Sequence, residues 1–405
     1  MRGFACRLLV AAVALVAALA PAHAYAGDFF VGVDEDAVKW GRSQLAPSVM
    51  RALGVEAIRI TVPWHAGATR LSDSDQDVLQ RTVFATWGLR VVVSVYGTAL
   101  EAPRTDEARA QFCDYVGDLL TRNPTISDVV IWNDPNDGTF WQPQYNADGS
   151  SASPVDYQAL LAVCWSKLHE LRPTVNVIAP DASTASVTKN AHDVAGWFKK
   201  LGAAYRATGR VQPIVDTFAH VPHGVSSAER PWARHPKSTV VGQGDYAKLV
   251  TALTSAFGGT AQPVPGPANP TIWYLGQGFQ TQADAGKARL YTGTETDRKT
   301  VPAWSSTAAG DKRTGPAPDQ ATQIGDAVRI AYCQSRVGAI FNFHIADEPE
   351  LAGWQSGVLW ADWTRKPSFA ALAAVVHDVS TGKVDCRSLK GGPAGGVDRA
   401  LGARS

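Results

Sequence analysis

Carboxylic acids and imidazoles stand where several short apolar runs of this sequence end. Glu35 and Asp36 follow the run at 29–33, and Asp134 follows Val-Val-Ile-Trp132-Asn133. His220 and His223 follow the run at 214–218, and Asp347 and Glu348 follow the run at 338–343. Such groups move protons: a carboxylic acid gives one up, and a carboxylate or neutral imidazole takes one. Each also has a quieter use. Asp347 and Glu348 are placed to orient loops or pair with arginine, and Glu35 and Asp36 to open a helix. The nine histidines show no metal-ligand spacing beyond His220 and His223, and no Cys-x-x-Cys pair occurs. The sequence therefore predicts no metal and no cofactor, with His220 and His223 shaping a pocket instead.

The elements that must position these groups follow a strand-then-helix rhythm. Strands are predicted at Phe29–Val33, Ala57–Val62, Arg90–Val95, Asp128–Trp132, Asn176–Ala179, Ile214–Phe218, Ile272–Leu275 and Gly338–Phe343. They are short and largely apolar, as strands covered on both faces are. Amphipathic patterns predict helices over Pro47–Leu53, Asp75–Trp87, Thr105–Arg122, Pro154–Arg172, His192–Thr208, Asp245–Phe257, Gln320–Cys333 and Ser368–Val379. Eight alternations imply a parallel sheet closed into a single α/β (β/α)8 (TIM) barrel, which presents its chemistry at the C-terminal strand ends. An open doubly wound sheet is the other topology, but no Gly-rich phosphate loop follows any strand. Residues 281–319 read as a long loop over the barrel mouth.

The fourth strand ends Trp132-Asn133-Asp134-Pro135-Asn136. This resembles the Trp-Asn-Glu-Pro-Asn signature of the retaining (β/α)8 glycoside hydrolases, the superfamily of the family 5 and family 39 enzymes. The resemblance implies carbohydrate as the ligand. It makes Asp134, in place of Glu, the acid/base, and it gives Asn133 to a sugar hydroxyl. Arg59 in Ile58-Arg59-Ile60 matches the arginine that supports the nucleophile. His220 matches in the sixth strand, and His223 stands where a tyrosine is expected. The ending Ala346-Asp347-Glu348-Pro349, then Gly353-Trp354-Gln355-Ser356-Gly357 and Lys366-Pro367-Ser368, is similar to that of many secreted actinobacterial-type members.

A retaining enzyme needs a second carboxyl group, roughly 5–5.5 Å from the first. The superfamily places it in Trp-Tyr-Thr-Glu-Phe-Gly-Tyr-Gln-Thr at the end of strand 7. Here the stretch reads Trp273-Tyr274-Leu275-Gly276-Gln277-Gly278-Phe279-Gln280-Thr281, with Gly276 at the nucleophile position. A slip of one residue substitutes Gln277, which is neutral. No acidic residue lies between Asp245 and Asp284, so no register fills the position. Asp134 is also one methylene short of Glu, a retreat of roughly 1.5 Å, and misplacement on that scale costs about a hundredfold.

Three functions follow as alternatives. The first is a carbohydrate-binding barrel in which retaining hydrolysis is lost. The second is an active O-glycosyl hydrolase with Asp134 as acid and a substitute base among Glu35, Asp36, Asp347, Glu348, His220 and His223. An inverting pair of this kind stands roughly 6.5–9.5 Å apart. The third is a non-catalytic interaction protein reusing the barrel. Among 13 tryptophans, Trp64, Trp141, Trp232, Trp304, Trp354, Trp360 and Trp363 fall at strand ends or in loops. Flat rings stack on pyranose faces, and Trp64 and Trp141 lie nearest the motifs; the competing use is packing helices on the barrel. Asn133, Arg59, His220, His223 and Gln277 complete the expected binding set.

The 405 residues are 45% hydrophobic and 19% charged, which suits a large packed core. Lys plus Arg number 38 and Asp plus Glu 37, leaving no charge excess to hold nucleic acid or an anionic membrane. Residues 1–26 have the layout of a bacterial secretory signal: Arg2 and Arg7, an apolar stretch over 8–20, and small residues at Ala22-His23-Ala24 and Ala24-Tyr25-Ala26. An N-terminal membrane anchor is the alternative. Residues 27–389 read as the barrel and 390–405 as a frayed tail. Export leaves Cys113, Cys164, Cys333 and Cys386 in an oxidising compartment. The favoured pairing is Cys113–Cys164 and Cys333–Cys386, which joins segments expected to be neighbours; four buried thiols are the alternative. The oligomeric state and the sugar are not legible.

Overall fold

Nine parallel strands alternate with helices in the computed structural model, which describes residues 29–40, 45–183, 188–269, 271–295, 319–390 and 397–398. The expected signal over 1–26, Trp304 and most of the tail lie outside these residues. The strands are β1 (Phe30–Asp34), β2 (Ala57–Pro63), β3 (Arg90–Tyr96), β4 (Asp128–Ile131), β5 (Asn176–Ile178), β6 (Ala182–Ser183), β7 (Phe218–Val221), β8 (Ile272–Gln277) and β9 (Val337–Phe343). Their order is β5-β4-β3-β2-β1-β9-β8-β7-β6. β5 and β6 are two pieces of one stave, broken at Ala179-Pro180-Asp181. Parallel bridges Ile178–Thr217 and Asn133–Asp181 join that stave to its neighbours on either side. The result is an eight-staved (β/α)8 barrel, with β8 as its seventh stave and β9 as its eighth.

The helices are α1 (Leu45–Leu53), α2 (Asp73–Ala85), α3 (Asp106–Arg122), α4 (Ser153–Leu171), α5 (Val194–Ala207), α6 (Tyr246–Phe257), α7 (Gln320–Cys333), α8 (Pro367–Ser380) and α9 (Cys386–Lys390). Side chains of Ser72, Thr105, Asp193 and Asp319 cap α2, α3, α5 and α7 by accepting a backbone N–H of the first turn. Proline opens α4 and α8, where its missing donor costs nothing. Disulfides join Cys113 to Cys164, across α3 and α4, and Cys333 to Cys386, across α7 and α9. Two disulfides fit a protein of an oxidising, extracellular compartment. No described helix is long and apolar enough to cross a membrane.

The period-two alternation of strands stacks the barrel interior in layers. Phe30, Ala57, Val92, Val130, Ile178, Ala219, Trp273, Leu275, Ala339 and Phe341 fill it with apolar side chains. One pleat further on, β1, β2 and β3 turn Asp34, Arg59 and Ser94 to the same side, so a polar layer rests on the apolar floor. Gly32 lies between the layers because the Phe341 ring crosses there; a Cβ at Gly32 would stand 2.4 Å from it.

One predicted strand is displaced. The expected Ile214–Phe218 is formed instead at Phe218–Val221. The N–H groups of Ile214 and Val215 donate to Gln262 Oε1, at 2.8 and 3.1 Å, rather than to a neighbouring strand. Trp64 and Trp141 are fully buried, and neither is a groove wall. They pack edge-on against Trp132, at 6.2 and 5.4 Å between ring centres, in the layer between strands and helices.

Candidate functional site

A cavity of about 430 Å³ opens above the polar layer, at the C-terminal strand ends. Asp34, Arg59, Asn133, Asp134, Asp181, His223 and Gly276 line it, with Asp36 and Glu348 further round the wall. Tyr96, Phe140, Phe343 and Trp354 supply its rings.

Arg59 organises the floor. Its Nε donates to Ser94 Oγ at 2.7 Å, and its Nη1 to Asp34 Oδ2 at 3.1 Å and the Leu275 carbonyl at 3.0 Å. Its Nη2 donates to Asn133 Oδ1 at 2.7 Å and Asp181 Oδ2 at 2.5 Å. Burial works against the guanidinium charge, but Asp181 and Asp34 outweigh it and hold Arg59 above its ordinary range. One cation thus ties together β1, β2, β3, β4, β8 and the break between β5 and β6. The planar fork of arginine meets these directions; a lysine ammonium would not.

Asp134 is placed by unusual backbone. Trp132, Asp134 and His344 all have positive φ, at 66°, 38° and 63°, a conformation costly for residues with a Cβ. The turn at Trp132 sends its ring outward to the tryptophan cluster and its indole N–H to the Phe140 carbonyl, at 2.8 Å. The chain is then free to bring Asn133 and Asp134 to the cavity. Asp134 N–H donates to the Asp181 carbonyl at 2.9 Å, which locks the two strand ends together. Burial, and then the charge of Asp181, push the Asp134 carboxyl well above the usual carboxylate range, against the pull of Arg59. Its Oδ1 is buried with no hydrogen-bond partner among the described residues, as is Asp181 Oδ1. Burial and the charge of Asp34 raise Asp181 as well, opposed by Arg59. Asp134 is therefore biased toward the protonated form, the form that can give a proton.

The opposite wall is bare. Gly276 has φ +117°, a backbone conformation that side chains rarely adopt. The pairing of β8 with β9 shifts register between Leu275 and Gln277, so Gly276 is the extra residue of a bulge. Leu275 and Gly276 consequently both face the cavity. Gln277 does not: it is buried with its Nε2 donating to Gln243 Oε1 at 3.0 Å. Gln277 is therefore no part of the cavity wall, and the register that puts Gly276 there is the one the strand adopts.

Other expected residues divide. His223 lines the cavity, 5.0 Å from the Trp354 ring, and burial lowers it to about 4, against a hydrogen bond that the ring donates to the Gly276 backbone. It is neutral at physiological pH. His220 is buried outside the lining, with Nδ1 and Nε2 each 2.8 Å from a backbone carbonyl, of Ala182 and Val241. It braces β7 and does not reach the cavity. Glu35 accepts from the N–H groups of Ala37, Ile345 and Ala346, at 2.8, 2.9 and 3.2 Å, and joins the ends of β1 and β9. Asp347 is locked to Lys366 Nζ at 2.6 Å and Tyr291 OH at 2.6 Å, beneath the surface. Asp36 and Glu348 reach the cavity, but each is engaged: Asp36 with Lys39 at 2.9 Å and Thr61 N–H at 2.8 Å, Glu348 with Trp354 N–H at 2.6 Å.

Asp34 and Asp181 are cavity carboxylates that sequence reasoning missed. Both stand just past a predicted strand, the signal already used for Asp134. Among the described residues no cluster of three or more His, Cys, Asp or Glu is arranged to hold a metal.

The sequence matches no protein-family model, and no curated protein sequence matches it. Solved structures resemble it in fold. GH5_18 from Streptomyces cattleya, in complex with GlcNAc, superimposes with a TM-score of 0.54 at 14% identity, over 87% of this chain and 81% of that one. A beta-glucosidase from Thermotoga maritima, in complex with deoxynojirimycin, gives 0.54 at 11% identity, over 87% and 98%. A monomeric beta-xylosidase from Caulobacter crescentus CB15 gives 0.51 at 14% identity, over 85% and 67%. In fold, the chain is a glycoside hydrolase-like (β/α)8 barrel.

Proposed function

We infer that the cavity at the barrel mouth binds a glycosyl unit, in an exported protein, and that the ordinary retaining route through β8 is closed. The observation that carries this is Gly276: a glycine in a bulge, with φ +117°, forms the wall where that route requires a carboxylate. The rest of the cavity suits a sugar. Its volume of about 430 Å³ falls within the range of small-ligand sites. Asn133 and the carboxylates offer hydrogen bonds to hydroxyls, and Trp354 and Tyr96 offer faces for ring C–H groups. The neighbours in complex with GlcNAc and deoxynojirimycin support carbohydrate as the ligand class. An interaction protein that merely reuses the barrel would be expected to fill this cavity.

A second reading, O-glycosyl hydrolysis with Asp134 as the acid, is favoured by one observation. Burial and Asp181 raise the Asp134 carboxyl above the usual carboxylate range, the direction a general acid needs. Calorimetric titration of the folded protein with a panel of mono- and oligosaccharides tests the binding claim. We expect at least one sugar to bind, and Trp354→Ala to weaken that binding about tenfold or more. A panel without any binder, or binding indifferent to Trp354, contradicts it.

A further inference from the structure

The wall at Gly276 lacks a side chain, but the space beside it holds a carboxylate. A Cβ built on Gly276 would stand 4.0 Å from Asp34 Oδ2. A glutamate there would carry its carboxylate oxygens roughly 3–4 Å from the same Cβ. Asp34 Oδ2 thus lies at about the reach of the missing side chain. It arrives from β1, two staves away in the barrel, because the strand ends converge on one cavity.

The support for that charge is also in place. Arg59 Nη1 donates to Asp34 Oδ2 at 3.1 Å and, with the same nitrogen, to the Leu275 carbonyl just before Gly276, at 3.0 Å. The arginine that the resemblance assigns to a nucleophile on β8 holds Asp34 instead. Asp34 Oδ1 makes no hydrogen bond among the described residues, and Asp34 lines the cavity. Of the other carboxylates, Asp36 is engaged by Lys39 and Thr61 and Glu348 by Trp354; Asp181 is held by the second arm of Arg59, beside Asp134 and not beside the bare wall at Gly276. Burial raises both carboxyls above the ordinary range; at Asp134 the charge of Asp181 adds to that rise, whereas at Asp34 the guanidinium at hydrogen-bond distance opposes it.

We propose that Asp34 is the second reacting carboxylate of this cavity, transferred from the β8 position to the end of β1. This rests on the reading of the cavity as a glycosyl site. An Asp34 oxygen attacks the anomeric carbon and forms a C–O ester bond. The glycosidic C–O bond breaks, its electron pair goes to the leaving oxygen, and that oxygen takes the Asp134 proton. Water then attacks the anomeric carbon and gives its proton to the Asp134 carboxylate. The ester C–O bond breaks, Asp34 recovers its charge, and the net change is glycoside plus water to sugar plus alcohol. Two displacements at one carbon return the starting configuration.

The test uses the full folded chain and 2,4-dinitrophenyl β-glycosides of glucose, xylose, galactose, mannose and N-acetylglucosamine. Their leaving group departs without an acid, so the rate reports the nucleophile. We expect dinitrophenolate release from at least one, a loss of a hundredfold or more in Asp34→Asn, and a mass adduct on the peptide carrying Asp34 after treatment with the matching 2-deoxy-2-fluoro glycoside. In Asp34→Gly, sodium azide is expected to restore release and yield the glycosyl azide, a gain that a merely misfolded variant would not show. Titration with the parent sugars and deoxynojirimycin runs alongside. Binding without release overturns the proposal and leaves the glycosyl site standing, whereas no binding overturns both. Release unchanged in Asp34→Asn, an adduct on another residue, or an inverted first product also overturns it.

Discussion

The ends of β4 and β8 face one cavity from opposite sides, and both depart from regular strand. At β4 the departure brings groups in: positive φ at Trp132 and Asp134 throws the indole outward and sets Asn133 and Asp134 over Arg59. At β8 the departure leaves a wall without a side chain: the extra residue of the bulge is a glycine, and the next residue, Gln277, points away to Gln243. The difference teaches that the vacancy is not a deleted side chain on an otherwise intact frame. It is written into the backbone. Arg59 belongs to both ends, through Asn133 on one arm and the Leu275 carbonyl on the other, so it is where the comparison is most easily broken.

Replacing Arg59 should have the largest effect. Arg59→Met leaves Asp34 and Asp181 buried without their cation, and loss of one partner of a buried pair costs about 3–5 kcal/mol. Urea unfolding at neutral pH checks this, and a loss below about 1 kcal/mol would show that the polar layer is not held as described.

The β8 end comes next. Contacts at the Cβ position of Gly276 are ordinary, at 3.7 Å to Phe343 and 4.0 Å to Asp34, so the penalty for a methyl side chain comes from φ. Gly276→Ala should cost about 1–3 kcal/mol, and Gly276→Glu should melt lower still, because its carboxylate would crowd that of Asp34. A Gly276→Glu protein as stable as the parent would mean that the backbone is no obstacle and that only a side chain is missing.

The β4 end gives the smallest stability effect, and it is set by pH. Burial and Asp181 raise the Asp134 carboxyl in the folded state, so the folded chain binds more protons than the unfolded one as pH rises above 3.8. The stability linked to that proton is complete below 3.8 and is lost as pH climbs through the raised value. Asp134→Asn removes this loss. It should stabilise the fold at pH 8 and change it little at pH 3.5. Urea unfolding at the two pH values checks the sign; equal effects at both would deny that Asp134 is held protonated.

The barrel was legible because buried parallel strands announce themselves as short β-branched runs, and β2, β3 and β9 formed close to where they were expected. β7 moved because a side chain, Gln262, took over the N–H groups of Ile214 and Val215, and no periodicity encodes such a contact. The tryptophans misled for a related reason. Trp64 and Trp141 lie near strand ends in sequence, but positive φ at Trp132 directs the aromatic cluster outward, and that turn is not visible in residue types. Asp34 and Asp181 stood at strand ends like Asp134, yet only Asp134 sat within a recognisable motif. The break at Pro180 that lets Asp181 meet Arg59 is a feature of closure, set by long-range pairing.

A crystal structure of the protein soaked with the tightest-binding sugar of the panel tests the central claim most directly. The account predicts a pyranose ring in the cavity, its anomeric carbon between Asp134 and the bare wall at Gly276, and a hydroxyl on Asn133. A sugar seated anywhere else on the molecule, with this cavity holding only water, would contradict it.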